Sequence, residues 1–227
     1  PFSVPVDELG FFAVQLPART YRVRLAIFGH RVLVDEAVKV VAGAPVERNY
    51  ALQPAPRILL VDGDAWAFTN ALGYHRRSLD ALGYLYHVHE VTREAVGAGA
   101  PGGPPDAALL GRYDVVIWSS PTTGPAFVRG AAALSTYLEG GGRLLLTGQD
   151  AACIDGGMEN ARGPCLANSR PHPYLKDKLH VRAVADAALS RAVNGVDGSP
   201  LAGLALTLNG GDSLDNQFTP DVLGILD

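Results

Sequence analysis

Three short apolar runs of this chain end in small or polar residues. They read RILLVDGD at 57–64, YDVVIWSS at 113–120 and GGGRLLLTGQD at 140–150. Such runs are typical of buried parallel strands, whose carboxyl ends meet at the edge of the sheet where open α/β sheets bind ligands. The sequence therefore predicts a binding crevice at that edge. Its walls are expected to be Asp62, Asp64, Trp66, Ser119, Ser120, Thr122, Gln149 and Asp150.

Several of these residues are carboxylates, and oxygen ligands suit a hard divalent cation such as Ca²⁺ or Mg²⁺. A metal site of Asp62, Asp64 and Asp150 is therefore one interpretation. In the other, Asp64 caps a helix while the remaining two carboxylates accept backbone hydrogen bonds in the crossing turns. The chain has no twelve-residue calcium loop, so the second interpretation is preferred and no cofactor is predicted.

Acyl-transfer chemistry would require an activated nucleophile, a base in contact with it and an oxyanion hole. The chain contains neither a G-x-C-x-G nor a G-x-S-x-G elbow. Cys153 follows the third run, with His172 and His180 as candidate bases, but the segment AACI would place this cysteine one helical turn beyond the elbow. No catalytic residue is therefore predicted. A cysteine hydrolase that uses Cys153 is the alternative.

His87 and His89 alternate along a predicted strand, a spacing that can bind a transition metal when a third ligand is near. Polar residues on an edge strand give the same pattern, because they discourage pairing with another chain. The structural role is the preferred interpretation of both histidines.

From residue 57 onward, predicted strands alternate with predicted helices, and these elements must position the residues of this edge. This order predicts an α/β domain over 57–227, with a mostly parallel sheet, helices on both faces and the strand 57–61 at the centre. Strands are expected at 57–61, 84–91, 113–120, 143–147, 181–185 and 204–209, and helices at 65–82, 127–139 and 174–179.

Residues 1–53 contain four short, partly alternating runs, which predict an all-β unit with strands at 11–16, 21–28, 32–41 and 46–52. The passage GFFAVQLPARTY is similar to the G-x-F-x-x-x-L-P-A-G-x-Y passage of carboxypeptidase-regulatory-like β-sandwich modules, with Arg19 where glycine is usual. The resemblance implies the C-terminal part of such a module. The prolines of residues 54–56 predict a stiff linker after it.

The three apolar runs, together with YLKDKLH at 174–180 and NQFTPD at 216–221, resemble the amidotransferase-like α/β domain of secreted subtilisin-like peptidases and related multidomain hydrolases. That family has a flavodoxin-like fold of the class I glutamine amidotransferase type. Its nucleophilic cysteine stands in the turn that here reads TGQD. The resemblance therefore implies a non-catalytic accessory region, either a spacer or a binding module, whose partners are other domains of the same polypeptide.

The chain has 227 residues, a net charge of −4 and no block of basic residues, which argues against binding to nucleic acid. No apolar stretch approaches the roughly 20 residues that span a bilayer. We expect a fragment of a longer extracellular or cell-surface protein, with a peptide or carbohydrate as the alternative ligand. Cys153 and Cys165 would form a local disulfide there, whereas in a reducing compartment they would be two thiols.

Overall fold

The computed structural model describes residues 2–63, 65, 71–92, 102–120, 123–148, 151–156, 174–185, 191–207 and 222–225. The chain divides into two compact units between Ala55 and Pro56. None of the helices in the described ranges is long and apolar enough to cross a membrane. Several residues named above lie outside these ranges: Asp64, Trp66, Thr122, Gln149, Asp150, Cys165 and His172.

The first unit contains one antiparallel pair of strands, β1 (Arg19–Leu25) and β2 (Leu33–Val40). Alternation along β1 follows the sequence pattern, because Tyr21 is buried while Arg22 and Arg24 are exposed. The Tyr21 hydroxyl donates to the carbonyl of Pro17 at 2.9 Å. One face of the pair is therefore covered, as predicted for this segment.

Two of the four strands predicted in this unit do not form. Residues 11–16 and 46–52 have no strand pairing, and 69 % of the Phe11 side chain is exposed. Alternation of apolar residues gives a strand only when a neighbouring strand takes its hydrogen bonds. Part of the predicted linker is also paired, since the Ala55 N–H donates to the carbonyl of Gly29 at 2.9 Å.

The second unit is built on a four-stranded parallel sheet. Its strands are β3 (Ile58–Asp62), β4 (Tyr86–Glu90), β5 (Val115–Ser119) and β6 (Arg143–Thr147), in the order β4-β3-β5-β6. All five residues of β3 are buried, which is why this strand is an unbroken apolar run in the sequence. The predicted central position of this strand is confirmed.

Helices cover both faces of this sheet. Helix α1 (Leu72–Ala81) packs on Ile58, Leu60 and Ile117, whereas α2 (Ala107–Leu110) and α3 (Ala131–Glu139) pack on the other face. The chain steps from β3 to β4 in one direction and then to β5 and β6 in the other. Right-handed crossovers require helices on opposite faces for opposite steps, so the two faces follow from the strand order. The unit is an α/β fold.

Helix α3 begins four residues later than predicted and ends where predicted. The segment before Ala131 is a series of turns in which Arg129 has a φ of 62°. At the other end Gly141 has a φ of 83°, and the Gly142 N–H donates to the carbonyl of Tyr137 at 3.0 Å. The three glycines at 140–142 are therefore a helix stop.

The remaining described elements follow β6. Helices α4 (Ala151–Gly156) and α5 (Tyr174–Leu179) precede β7 (Val181–Ala185), which pairs antiparallel with β10 (Val222–Ile225). Strands β8 (Ala192–Asn194) and β9 (Ala205–Thr207) form another antiparallel pair. The predicted elements at 174–179 and 181–185 are confirmed with these bounds.

An ion pair ties β3 to β5 at the amino end of the sheet. The Arg57 guanidinium donates from Nη2 to Asp114 Oδ1 at 2.7 Å and from Nε to Oδ2 at 3.1 Å, and the Arg57 backbone N–H donates to Oδ2 at 2.8 Å. These hydrogen bonds, the side-chain ones first, lower the pKa of Asp114 to about 2. The two side chains are 48 % and 42 % exposed, so solvent screening keeps the contribution to stability small.

We expect Asp114→Asn to destabilise the protein slightly at neutral pH and not at pH 2. The folded-state pKa lies below the ordinary value of 3.8, so the stabilisation is present above about pH 4 and is lost as the pH falls towards 2. Urea unfolding of both proteins from pH 2 to pH 6 measures this difference, with Asp197→Asn in an exposed turn as the control. A difference that stays constant down to pH 2 would contradict the assignment.

Candidate functional site

The last positions of three neighbouring strands place polar side chains in one row. Asp62 of β3 is paired in register with Ser119 of β5, and Ser119 with Thr147 of β6. Parallel strands lie about 4.8 Å apart, so consecutive members of this row are direct neighbours. We call these three residues the carboxyl-edge row. It joins two of the predicted crevice residues, Asp62 and Ser119, to Thr147, which the sequence did not single out.

The carboxyl-edge row lies on the face of the sheet that α1 covers. Side chains alternate along a strand, and Ile58 and Leu60, four and two positions before Asp62, pack with α1. The same holds for Ile117, two positions before Ser119. Asp62 is 2 % exposed and Ser119 1 %, so the row begins where the apolar core between the sheet and α1 ends.

Helix α1 places a histidine beside this row. His75 Nε2 lies 3.1 Å from Thr147 Oγ1, and the tautomer of the ring decides which of the two atoms donates. Burial lowers the pKa of His75, so the imidazole is uncharged at neutral pH. A neutral imidazole both donates and accepts hydrogen bonds, so it is a third group of this kind beside the hydroxyls of Ser119 and Thr147.

Ser119 carries the most unusual atom of the row. Its Oγ is buried and has no hydrogen-bond partner among the residues that the structure describes. Buried hydroxyl groups in folded proteins are bonded to protein or to ordered water in most cases, because an unbonded one has lost its hydrogen bonds to bulk water. An orphan hydroxyl next to a carboxylate at the carboxyl edge of a parallel sheet is the arrangement expected of a binding site.

The neighbouring Ser120 points to the opposite face of the sheet. Its Oγ accepts a hydrogen bond from Trp118 Nε1 at 2.9 Å, and Trp118 is completely buried in the core on that side. A side chain at Gly63 would collide with both of these groups. Of the two tryptophans near the strand ends, Trp118 is therefore a core residue with a bonded indole, and it does not line a ligand surface.

No protein-family model, curated protein or solved structure matches this chain. The short motifs quoted above therefore remain resemblances. An α/β sheet of this kind hosts many unrelated functions, so the function must be argued from the side chains at its carboxyl edge.

Asp155 of α4 is a second buried polar centre, which the sequence analysis did not identify. Its carboxylate is completely buried and accepts hydrogen bonds from the backbone N–H groups of Ala126 at 2.9 Å and Phe127 at 3.2 Å. The Tyr174 hydroxyl donates to it at 2.7 Å. Burial first, and then the adjacent carboxylate, raise the pKa of Tyr174 far above its ordinary value. Asp155 thereby ties the connection after β5 to α4 and α5.

The two histidines of β4 have protein partners. His87 Nδ1 lies 2.9 Å from the Tyr113 hydroxyl, with the two rings edge to face, and His89 Nε2 lies 2.6 Å from the carbonyl oxygen of Gly103. Within the described ranges no three His, Cys, Asp or Glu residues are grouped closely enough to hold a metal ion. Both histidines therefore make hydrogen bonds within the fold from an edge strand, which is a structural role.

The alternative catalytic residues are only partly placed. Cys153 is the third residue of α4, and the position of its sulfur lies outside what the structure describes, as does the whole of His172. His180 is exposed between α5 and β7, with a φ of 53°. Of the three carboxylates in the less favoured metal interpretation, Asp64 and Asp150 lie outside the described residues, and the structure places Asp62 alone.

Proposed function

We propose that this chain is a non-catalytic accessory region of a larger secreted hydrolase, with a ligand-binding site at the carboxyl edge of its α/β unit. The parent enzyme that we propose is a subtilisin-like serine peptidase whose catalytic domain lies elsewhere in the polypeptide. In this proposal the α/β unit has the flavodoxin-like, amidotransferase-type fold, and residues 1–53 are the end of a β-sandwich module. The strand order β4-β3-β5-β6 with helices on both faces supports the flavodoxin-like assignment.

The buried hydroxyl of Ser119 beside Asp62, which has no hydrogen-bond partner among the described residues, is the observation that carries the binding role. A hydroxyl that serves only the fold would be bonded within the fold, because an unbonded one lowers stability. Binding sites contain such groups, since the ligand supplies the missing partner. The carboxyl edge therefore has the chemistry of a site for a polar ligand.

The sequence at the end of β6 supports the absence of catalysis in this proposal. The strand continues into Gly148, Gln149 and Asp150, and neither an amide nor a carboxylate at this turn is an activated nucleophile for acyl transfer. Cys153 follows within α4, where it is one helical turn past the position of an elbow residue. The cysteine hydrolase remains the alternative, and it is decided by assay.

Hydrolysis assays of the purified chain test the proposal directly. We expect no release of ammonia from glutamine, no cleavage of p-nitrophenyl esters and no cleavage of a casein-derived peptide above the rate in buffer. Turnover that disappears in Cys153→Ser would establish the cysteine hydrolase and reject the accessory role. The open reading frame that encodes the chain is a second test, because an adjoining subtilisin-like domain is expected and a complete gene without one would contradict the parent assignment.

The proposed extracellular location predicts that Cys153 and Cys165 are bonded to each other. A disulfide that closes a loop of this size stabilises a protein by about 3 kcal/mol through restriction of the unfolded chain. Intact-mass measurement with and without reductant, after alkylation of free thiols, detects the bond. Two alkylated thiols in protein purified under oxidising conditions would count against both the bond and the location.

A further inference from the structure

We propose that the carboxyl-edge row, together with His75, binds one hydroxyl group of a neutral carbohydrate, and that Ser119 Oγ is the atom that contacts it. This inference rests on the proposed function, because it names the ligand class of that binding site. The residues involved are Asp62, Ser119 and Thr147, at the ends of three adjacent strands, and His75 of α1, which lies 3.1 Å from Thr147 through Nε2 and Oγ1.

The chemistry of the row favours a ligand hydroxyl. A serine or threonine hydroxyl and a neutral imidazole each donate and accept hydrogen bonds, and an ionised carboxylate accepts them. A sugar hydroxyl also donates and accepts, so it can satisfy the Ser119 hydroxyl and bond to a neighbouring group at the same time. The row and His75 offer no cation to an anionic ligand, because burial lowers the pKa of His75 and leaves its imidazole uncharged.

The burial of the row limits how much of a ligand can reach it. Asp62 and Ser119 are almost completely buried, so at most a single ligand group can contact them, and the remainder of the ligand would have to lie beyond the strand ends. The position also disfavours an extended peptide. Peptides add to a sheet along the side of an edge strand, through main-chain hydrogen bonds, whereas the row lies at the ends of the two inner strands and of β6.

Isothermal titration calorimetry of the whole chain tests the inference with glucose, galactose, mannose, N-acetylglucosamine and the deoxy analogues of whichever sugar binds. We expect at least one of the parent sugars to bind. One of its deoxy analogues should bind at least about tenfold more weakly, which corresponds to a loss of about 1.4 kcal/mol in binding free energy. Ser119→Ala should weaken binding of the parent sugar by a similar factor. That variant should bind the parent sugar and the critical deoxy analogue equally, because the lost hydroxyl no longer has a partner.

A second measurement separates a ligand contact from a structural role. Ser119→Ala removes a hydroxyl that has no partner in the described structure, so the thermal midpoint of the ligand-free protein should be unchanged or raised. Ser78→Ala, at an exposed position on α1, is the matched control and should change neither the midpoint nor binding. Thr147→Val is the second binding variant, and it should also weaken binding of the parent sugar.

Three results would overturn the inference. They are the absence of binding to every sugar in the panel, unchanged sugar affinity in Ser119→Ala, and a lowered midpoint for ligand-free Ser119→Ala. Binding of a peptide library without binding of any sugar would reject the carbohydrate and leave the proposed accessory binding role intact. Hydrolysis of ester or glutamine would reject the proposed function whether or not a sugar binds.

Discussion

Replacing Asp155 by alanine should lower the free energy of unfolding by about 3–5 kcal/mol. The substitution removes the acceptor of three donors, namely the half-buried N–H groups of Ala126 and Phe127 and the buried hydroxyl of Tyr174. The Phe127 N–H also donates to the carbonyl of Gly124 at 3.1 Å, so the loss falls mainly on the Ala126 N–H and the Tyr174 hydroxyl. Each buried donor left without a partner costs about 1–3 kcal/mol. Denaturant unfolding followed by far-ultraviolet circular dichroism measures the change.

Two companion variants make this prediction specific. Tyr174→Phe removes one of the three hydrogen bonds and should cost about 1–2 kcal/mol. In the double variant the two losses should not add, because both act on the same carboxylate. Asp177→Ala, at an exposed position of α5, should stay within about 0.5 kcal/mol of the unmodified protein. A loss below about 1 kcal/mol for Asp155→Ala would show that the carboxylate is not the link between these segments.

The sheet could be predicted from the sequence because its central strands are buried on both faces. Burial on both faces leaves an unbroken apolar run, and the apolar run 58–61 lies in β3, every residue of which is buried. The alternating runs of the first unit carried a weaker signal. Residues 11–16 alternate as a strand does, yet Phe11 is exposed, because no neighbouring strand pairs with this segment in the described structure.

The candidate site was predicted only in part, for a similar physical reason. Asp62 and Ser119 could be found because they end apolar runs, and the register of the sheet brings them together. His75 lies between Tyr74 and Arg76 in a helix, and nothing local distinguishes it from a surface histidine. Its contact with Thr147 joins residues 72 positions apart, so it exists only once α1 is packed on the sheet.

Asp155 was missed because its partners are also distant in sequence. They lie 28 and 29 positions before it and 19 positions after it, in segments that have no shared motif. A lone aspartate followed by two glycines gives no sign that it is buried. Its role depends on the packing of α4 against α5 and the connection after β5, which short-range patterns do not encode.

Two glycine-to-alanine substitutions should change stability in opposite directions. A side chain at Gly148 would lie on top of the carbonyl oxygen of Ser120, whereas a side chain at Gly73 meets no atom within 4 Å. The Ser120 backbone cannot move aside easily, because its N–H donates to the carbonyl of Thr147 at 2.8 Å. Gly148→Ala should therefore lower the free energy of unfolding by at least about 2 kcal/mol. Gly73→Ala, inside α1, should raise it by about 0.5–1 kcal/mol.

The Gly148 substitution also probes the carboxyl edge of the sheet. The clash separates the end of β6 from the residue after β5, and so it should move Thr147 relative to Ser119 and disturb the contact between His75 and Thr147. Urea unfolding gives the two changes in stability, and the two-dimensional NMR spectrum of the His75 ring reports the contact. Equal stability of the Gly148→Ala and Gly73→Ala proteins would mean that Gly148, after β6, does not closely approach Ser120, after β5. That result would contradict the geometry on which the carboxyl-edge row depends.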